Sequence, residues 1–201
     1  TFAVRHLQLA RALFAAIAAI MITFSADHSA AVGLSVFSGF AIATAIVLFL
    51  GVWLVYPAAS RAVPVLLGIV TLLAGMVTGI PPLRSTTLFF VAVIAWAVIA
   101  GVIELVGGLR ARRTGDAYAR DGILIGAFTL ALAVGLLVVN PAFRLDYTVG
   151  PEDLTLTGTA IGVGIFGGYA AIIAVFLGIA GFSPRTVTAA PVPTPTAGER
   201  A

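Results

Sequence analysis

Long apolar runs alternate with short polar breaks along the whole chain. Six runs are long enough to cross a bilayer as helices, which takes about 20 apolar residues each. They cover about residues 7–26, 30–56, 62–80, 85–110, 121–139 and 153–182. Proline stands at or just beyond the ends of most of them, at Pro57, Pro81, Pro82, Pro141 and Pro184. Lacking an N–H and clashing with the preceding turn, proline stops a helix there. The starts are marked as well. Ser85 can cap the fourth run, Asp121 opens the fifth, and Pro151-Glu152-Asp153 would place proline and two acids in the first turn of the sixth.

The pattern predicts an all-α, polytopic membrane protein whose six transmembrane helices form three helical hairpins, roughly 5–60, 61–118 and 119–183. Residues 1–182 make one transmembrane domain. Residues 183–201, rich in Pro, Thr and Ala, are expected to be a disordered tail. A cleavable signal is the competing reading of the N-terminus, with Arg5 and Arg11 before an apolar core and Ser29-Ala30-Ala31 after it. The pairing of the first run with the second favours a retained helix.

Composition agrees with burial in lipid. Of 201 residues, 61% are hydrophobic and 9% charged, against about 25% charged in soluble domains. No cysteine is present, which excludes disulfides, thiol catalysis and zinc–thiolate sites. All basic residues are arginine, and they are distributed unevenly. Arg5, Arg11, Arg61, Arg110, Arg112, Arg113, Arg120, Arg185 and Arg200 fall on one side of a six-helix arrangement, and only Arg84 and Arg144 on the other. Positive charge stays on the cytoplasmic side, so both termini are expected there. No basic face for nucleic acid exists; the expected partner is the lipid bilayer.

Repetition shows at two levels. Gly68-Ile69-Val70-Thr71-Leu72 and Gly126-Ala127-Phe128-Thr129-Leu130 both read G-x-x-T-L, and Gly51, Gly101 and Gly178 recur near the same end of the even-numbered runs. Glycines four apart form strips that another helix can approach closely. Candidate packing pairs are Gly122 with Gly126, Gly158 with Gly162, and Gly164 with Gly168. They serve packing within one bundle, or, on the sixth helix, a homo-oligomer or larger membrane complex.

Two stretches, AWAVIAGVIELVGGLRARR at 95–113 and RDGILIGAFTLALAVGLLVVNP at 120–141, resemble the HdeD family of small six-helix bacterial inner-membrane proteins. The resemblance implies repeated hairpins and a role in acid or envelope stress tolerance; it implies no catalytic residue.

One acid lies deep. Glu104 stands six residues before Arg110, about 9 Å further along a helix at 1.5 Å per residue. A carboxylate there needs a partner or a proton: it pairs with an arginine such as Arg61, or it is protonated and hydrogen-bonded. Gly107 and Gly108 leave a notch beside it. Trp96, two turns away, joins Glu104 as the candidate intramembrane polar site. Arg84, Arg144, Asp146 and Asp153 could form ion pairs at the opposite end. No nucleophile–base set, metal cluster or phosphate loop is present, so no enzyme, cofactor or metal is expected. A non-enzymatic, HdeD-like stress protein is the leading expectation. The alternatives are an accessory subunit of a larger complex, or a small-solute or proton pathway centred on Glu104.

Overall fold

A computed structural model describes residues 2–150 and 152–183. Most of the expected disordered tail, from residue 184 onward, lies outside the described residues. Six helices account for most of the described residues: α1 (Val4–Thr23), α2 (Ala30–Leu54), α3 (Ala62–Gly79), α4 (Thr86–Arg113), α5 (Ala119–Val138) and α6 (Gly158–Phe182). All six are long and apolar enough to cross a membrane, and the chain is an all-α, multi-pass integral membrane protein. Large apolar side chains such as Leu13, Ile20, Leu73, Val91, Leu137 and Val175 stand exposed on the bundle's outer surface, where acyl chains would cover them.

The caps follow the polar breaks. Ser29 Oγ accepts from the Val32 N–H at 3.4 Å, and Ser85 Oγ accepts from the Leu88 N–H at 3.1 Å, so each satisfies one orphan donor of a first turn. The sixth helix departs from expectation. It begins at Gly158, not near 153, and Thr157 is its cap, accepting from the Ala160 N–H at 3.1 Å. Residues 144–157 instead form an antiparallel hairpin of β1 (Arg144–Val149) and β2 (Glu152–Thr157), with Arg144 opposite Thr157 and Tyr147 opposite Leu154. Alternation explains it: Leu145, Tyr147, Leu154 and Leu156 fall on one face, while Asp146 and Thr155 share the other, their side chains bonded at 2.6 Å. A period of two suits a strand and breaks a helical face. Gly150, at φ +63°, takes the left-handed conformation the turn requires. Glu152 and Asp153 therefore lie in a strand, not in a helix first turn. The expected ion pairs at this end do not form among the described residues. Arg84 donates to the Gly79 carbonyl at 3.4 Å, Asp146 is taken by Thr155, and the Asp153 side chain lies outside what is described.

The helices close a ring in chain order, α6 returning against α1. The most extensive contacts are α2 with α3, α4 with α5 and α6 with α1; the expected hairpin pairs α1–α2, α3–α4 and α5–α6 meet over less surface. Glycine accounts for the closest of these approaches, that of α4 to α5. In lipid, helices gain little from hiding apolar groups, so association rests on close backbone approach. At α4–α5 a Cβ on Gly126 would meet Leu105 N at 2.5 Å, and one on Gly108 would meet Ile123 N at 2.6 Å. At α2–α3, Gly75 faces Ala41 and Ile42; at α6–α1, Gly167 faces Ile22 and Gly181 faces Leu9. The recurrent glycines of the even helices do not share one environment. Gly101 meets α5, Gly51 meets Leu7, and Gly178 faces open space.

Gly126→Ala must therefore push two backbones apart. Overpacking of this kind costs roughly 1–3 kcal/mol, so thermal unfolding in detergent is expected to occur several degrees lower. Gly168→Ala, with nothing near its Cβ, should leave the midpoint unchanged.

Candidate functional site

Glu104 is buried, and its partner comes from across the ring. Arg11 of α1 donates to Glu104 Oε1 through Nη2 at 2.8 Å. This corrects the expected pairing with Arg61, whose Nε instead donates to the Tyr56 carbonyl at 2.8 Å. Depth decides it. Arg11 lies seven residues into α1 from Val4, about 10 Å along the axis, which brings it level with Glu104. Arg61 stands at a helix start, one residue before α3.

One turn nearer the chain start, Gln8 Nε2 donates to Asp121 Oδ2 at 2.6 Å, and both residues are buried. Asp121 occupies the first turn of α5, where the helix dipole favours a negative group. Two polar links thus tie α1 to α4 and α5 at the end where most arginines gather.

These links line a cavity of about 400 Å³. It is walled on its polar side by Gln8, Arg11, Tyr56, Glu104, Asp116 and Asp121, and on its apolar side by residues such as Leu7, Val47, Val63, Leu67, Ile125 and Leu177. Gly107 and Gly108 also line it. Arg110, Ala111 and Thr114, at the end of α4, stand at its margin. Burial pushes the Tyr56 phenol above its usual value near 10, with Arg11 acting in the opposite direction. Apolar walls with a few convergent polar groups are the ordinary composition of a small-molecule site.

Behind the ion pair lies a second, much smaller void of about 10 Å³. Each of the six helices brings a polar group to it: Arg11 from α1, Thr44 from α2, Thr71 from α3, Trp96 and Glu104 from α4, Thr129 from α5 and Tyr169 from α6. The Trp96 indole donates to Thr71 Oγ1 at 3.1 Å. Thr129 Oγ1 and the Tyr169 hydroxyl lie 3.0 Å apart. The two G-x-x-T-L threonines therefore occupy equivalent roles, each meeting the polar tip of an aromatic ring. Beyond the void the bundle is plugged. Phe37 meets Trp96 and Phe166 edge-on at 5.2 and 5.4 Å, and Phe40 closes on the same two rings at 6.0 and 5.9 Å. All four rings are buried.

Glu104 and Trp96, singled out from sequence, thus line one void. Of the six glycines, Gly122 and Gly126 pack against α4, Gly162 against Phe89 and Phe90, and Gly158 against the Asn140 carbonyl. Gly164 and Gly168 face outward with no neighbour among the described residues, so an assembly contact through α6 retains one glycine pair rather than two in tandem. From sequence, Arg11 counted only among the arginines of one side and of the N-terminal flank, and Gln8, Thr44, Thr71, Thr129 and Tyr169 were not placed at a site. For Arg11 the signal was available: an arginine two turns inside an apolar helix needs a counter-charge.

Removing one partner of a buried pair leaves the other charge uncompensated, at about 3–5 kcal/mol. Glu104→Gln and Arg11→Met are each expected to lower the unfolding midpoint strongly. The double variant should lose much less than the sum, read out as a double-mutant cycle in detergent. No protein-family model, curated protein or solved structure matches the chain.

Proposed function

We propose that this membrane protein is non-enzymatic and admits a small polar solute from its arginine-rich end into a blind inlet, holding it against the Arg11–Glu104 pair. One observation carries this reading: a cavity of about 400 Å³ reaches a buried ion pair. A bundle stabilised only by packing has no need of such a space, and each buried polar group in lipid carries a cost that function has to justify. The inlet is large enough for a small organic solute, and its polar groups include both donors and acceptors. The aromatic plug supports binding or gated passage over an open channel.

On this reading the arginine-rich end is cytoplasmic, by the positive-inside rule. The cysteine-free sequence makes the test direct. Val63→Cys, in the inlet wall, is expected to react with a small hydrophilic thiol reagent supplied from the cytoplasmic side. Phe40→Cys, behind the ion pair, should stay unmodified. Urea, ethanolamine and acetate then serve as neutral, cationic and anionic probes. At least one should raise the unfolding midpoint through mass action, and Gln8→Leu should abolish the shift. An unreactive Val63→Cys with no stabilisation by any probe would remove this reading.

A second reading is an HdeD-like contribution to acid or envelope stress tolerance in a bacterial inner membrane. In its favour, the stretches 95–113 and 120–141 that carry the resemblance lie in α4 and α5, which pack through Gly101, Gly108, Gly122 and Gly126. Survival of a deletion strain after acid shock, compared with its complemented parent, tests it; equal survival counts against it.

A further inference from the structure

We propose that the void behind the ion pair is a binding site for one water molecule, coordinated by hydroxyls from three helices and by the Glu104 carboxylate. This goes beyond the solute reading and does not depend on it.

Thr44 is the starting point. Its side chain is 4% exposed, and its Oγ1 has no hydrogen-bond partner among the described residues. Threonines inside helices usually bond back to the carbonyl four residues earlier. Thr129 does so to Ile125 at 2.8 Å and Thr78 to Ala74 at 2.7 Å. Thr44 does not; it lines the void instead. A buried hydroxyl without a partner bears its full desolvation penalty, most severely in a lipid-embedded bundle.

Size selects the ligand. The void measures about 10 Å³, close to the roughly 10–15 Å³ that a single water requires. No larger solute fits.

Donors and acceptors also balance. Thr129 gives its proton to the Ile125 carbonyl, so the Tyr169 hydroxyl is the donor in their 3.0 Å contact and keeps its own oxygen free to accept. Thr71 Oγ1 accepts from Trp96 and keeps its proton free to donate. The void thus presents a donor at Thr71, acceptors at Tyr169 and Glu104, and at Thr44 a hydroxyl able to be either. A water that donates to Glu104 and Tyr169 and accepts from Thr71 and Thr44 is four-coordinate, within the usual range for buried waters. The Arg11–Glu104 pair, together with Leu67 and Leu177, lines both cavities. It stands as the partition between the inlet and this water.

The test uses the full chain in detergent micelles, with methyl-labelled threonine in a deuterated background. Cross-relaxation from water to the Thr44 and Thr71 methyls is expected, and its loss in Thr44→Val. The same variant discriminates by sign. In a dry void, valine replaces an unsatisfied hydroxyl and the unfolding midpoint rises. In a hydrated one, the water loses a partner and the midpoint falls, by about 2–4 °C for a chain of this size. A raised or unchanged midpoint, or no water signal at either methyl of the wild-type protein, overturns the proposal. If the variant fails to fold, the wild-type signal alone decides.

Discussion

The Arg11–Glu104 bridge spans the ring between helices that are not neighbours in it, α1 and α4. Two charges out of water are costly in lipid, and their mutual attraction offsets that cost only when geometry is good. At 2.8 Å it is. The requirement propagates. α1 must sit at a depth that brings Arg11 level with Glu104, α5 must carry Asp121 to Gln8, and the centre of the bundle must hold enough polar atoms to satisfy what the pair leaves over. Thr71, Trp96, Thr129 and Tyr169 line the void beside the pair and bond to one another there.

A second constraint shapes the perimeter. Helices in lipid cohere through backbone proximity and interhelical hydrogen bonds, not through an aqueous hydrophobic effect. The three glycine-rich interfaces bring α2 to α3, α4 to α5 and α6 to α1 closely enough for such bonds, as where Ser38 Oγ donates to the Gly75 carbonyl at 2.8 Å. The looser interfaces between these pairs leave room at the centre.

The contrast between the two ends follows from the same layout. At one end the α1 start, the α2–α3 and α4–α5 connections and the α6 end surround an opening lined by titratable side chains. At the other, the α3–α4 turn and the β-hairpin lie beyond an aromatic plug of Phe37, Phe40, Trp96 and Phe166. Offset and edge-on ring contacts each add about 0.5–1.5 kcal/mol beyond simple burial. The ring cluster consequently stabilises the fold.

Much of this was legible in one dimension. Six apolar runs of membrane-spanning length, proline stops, serine caps at Ser85 and depth-placed Glu104 all follow from local chemistry, because a helix in lipid satisfies its own backbone and reports its limits by composition alone. The β-hairpin was also written locally, in the alternation from Leu145 to Leu156, but two acids after a proline imitate a helix start and mask it. The choice of Arg11 over Arg61, the meeting of Thr44, Thr71, Thr129 and Tyr169 around one void, and the inward or outward turn of each α6 glycine were decided only in three dimensions. A side chain's partner depends on the depth and rotation of a second helix, and neither quantity is encoded in the run of residues that holds the first.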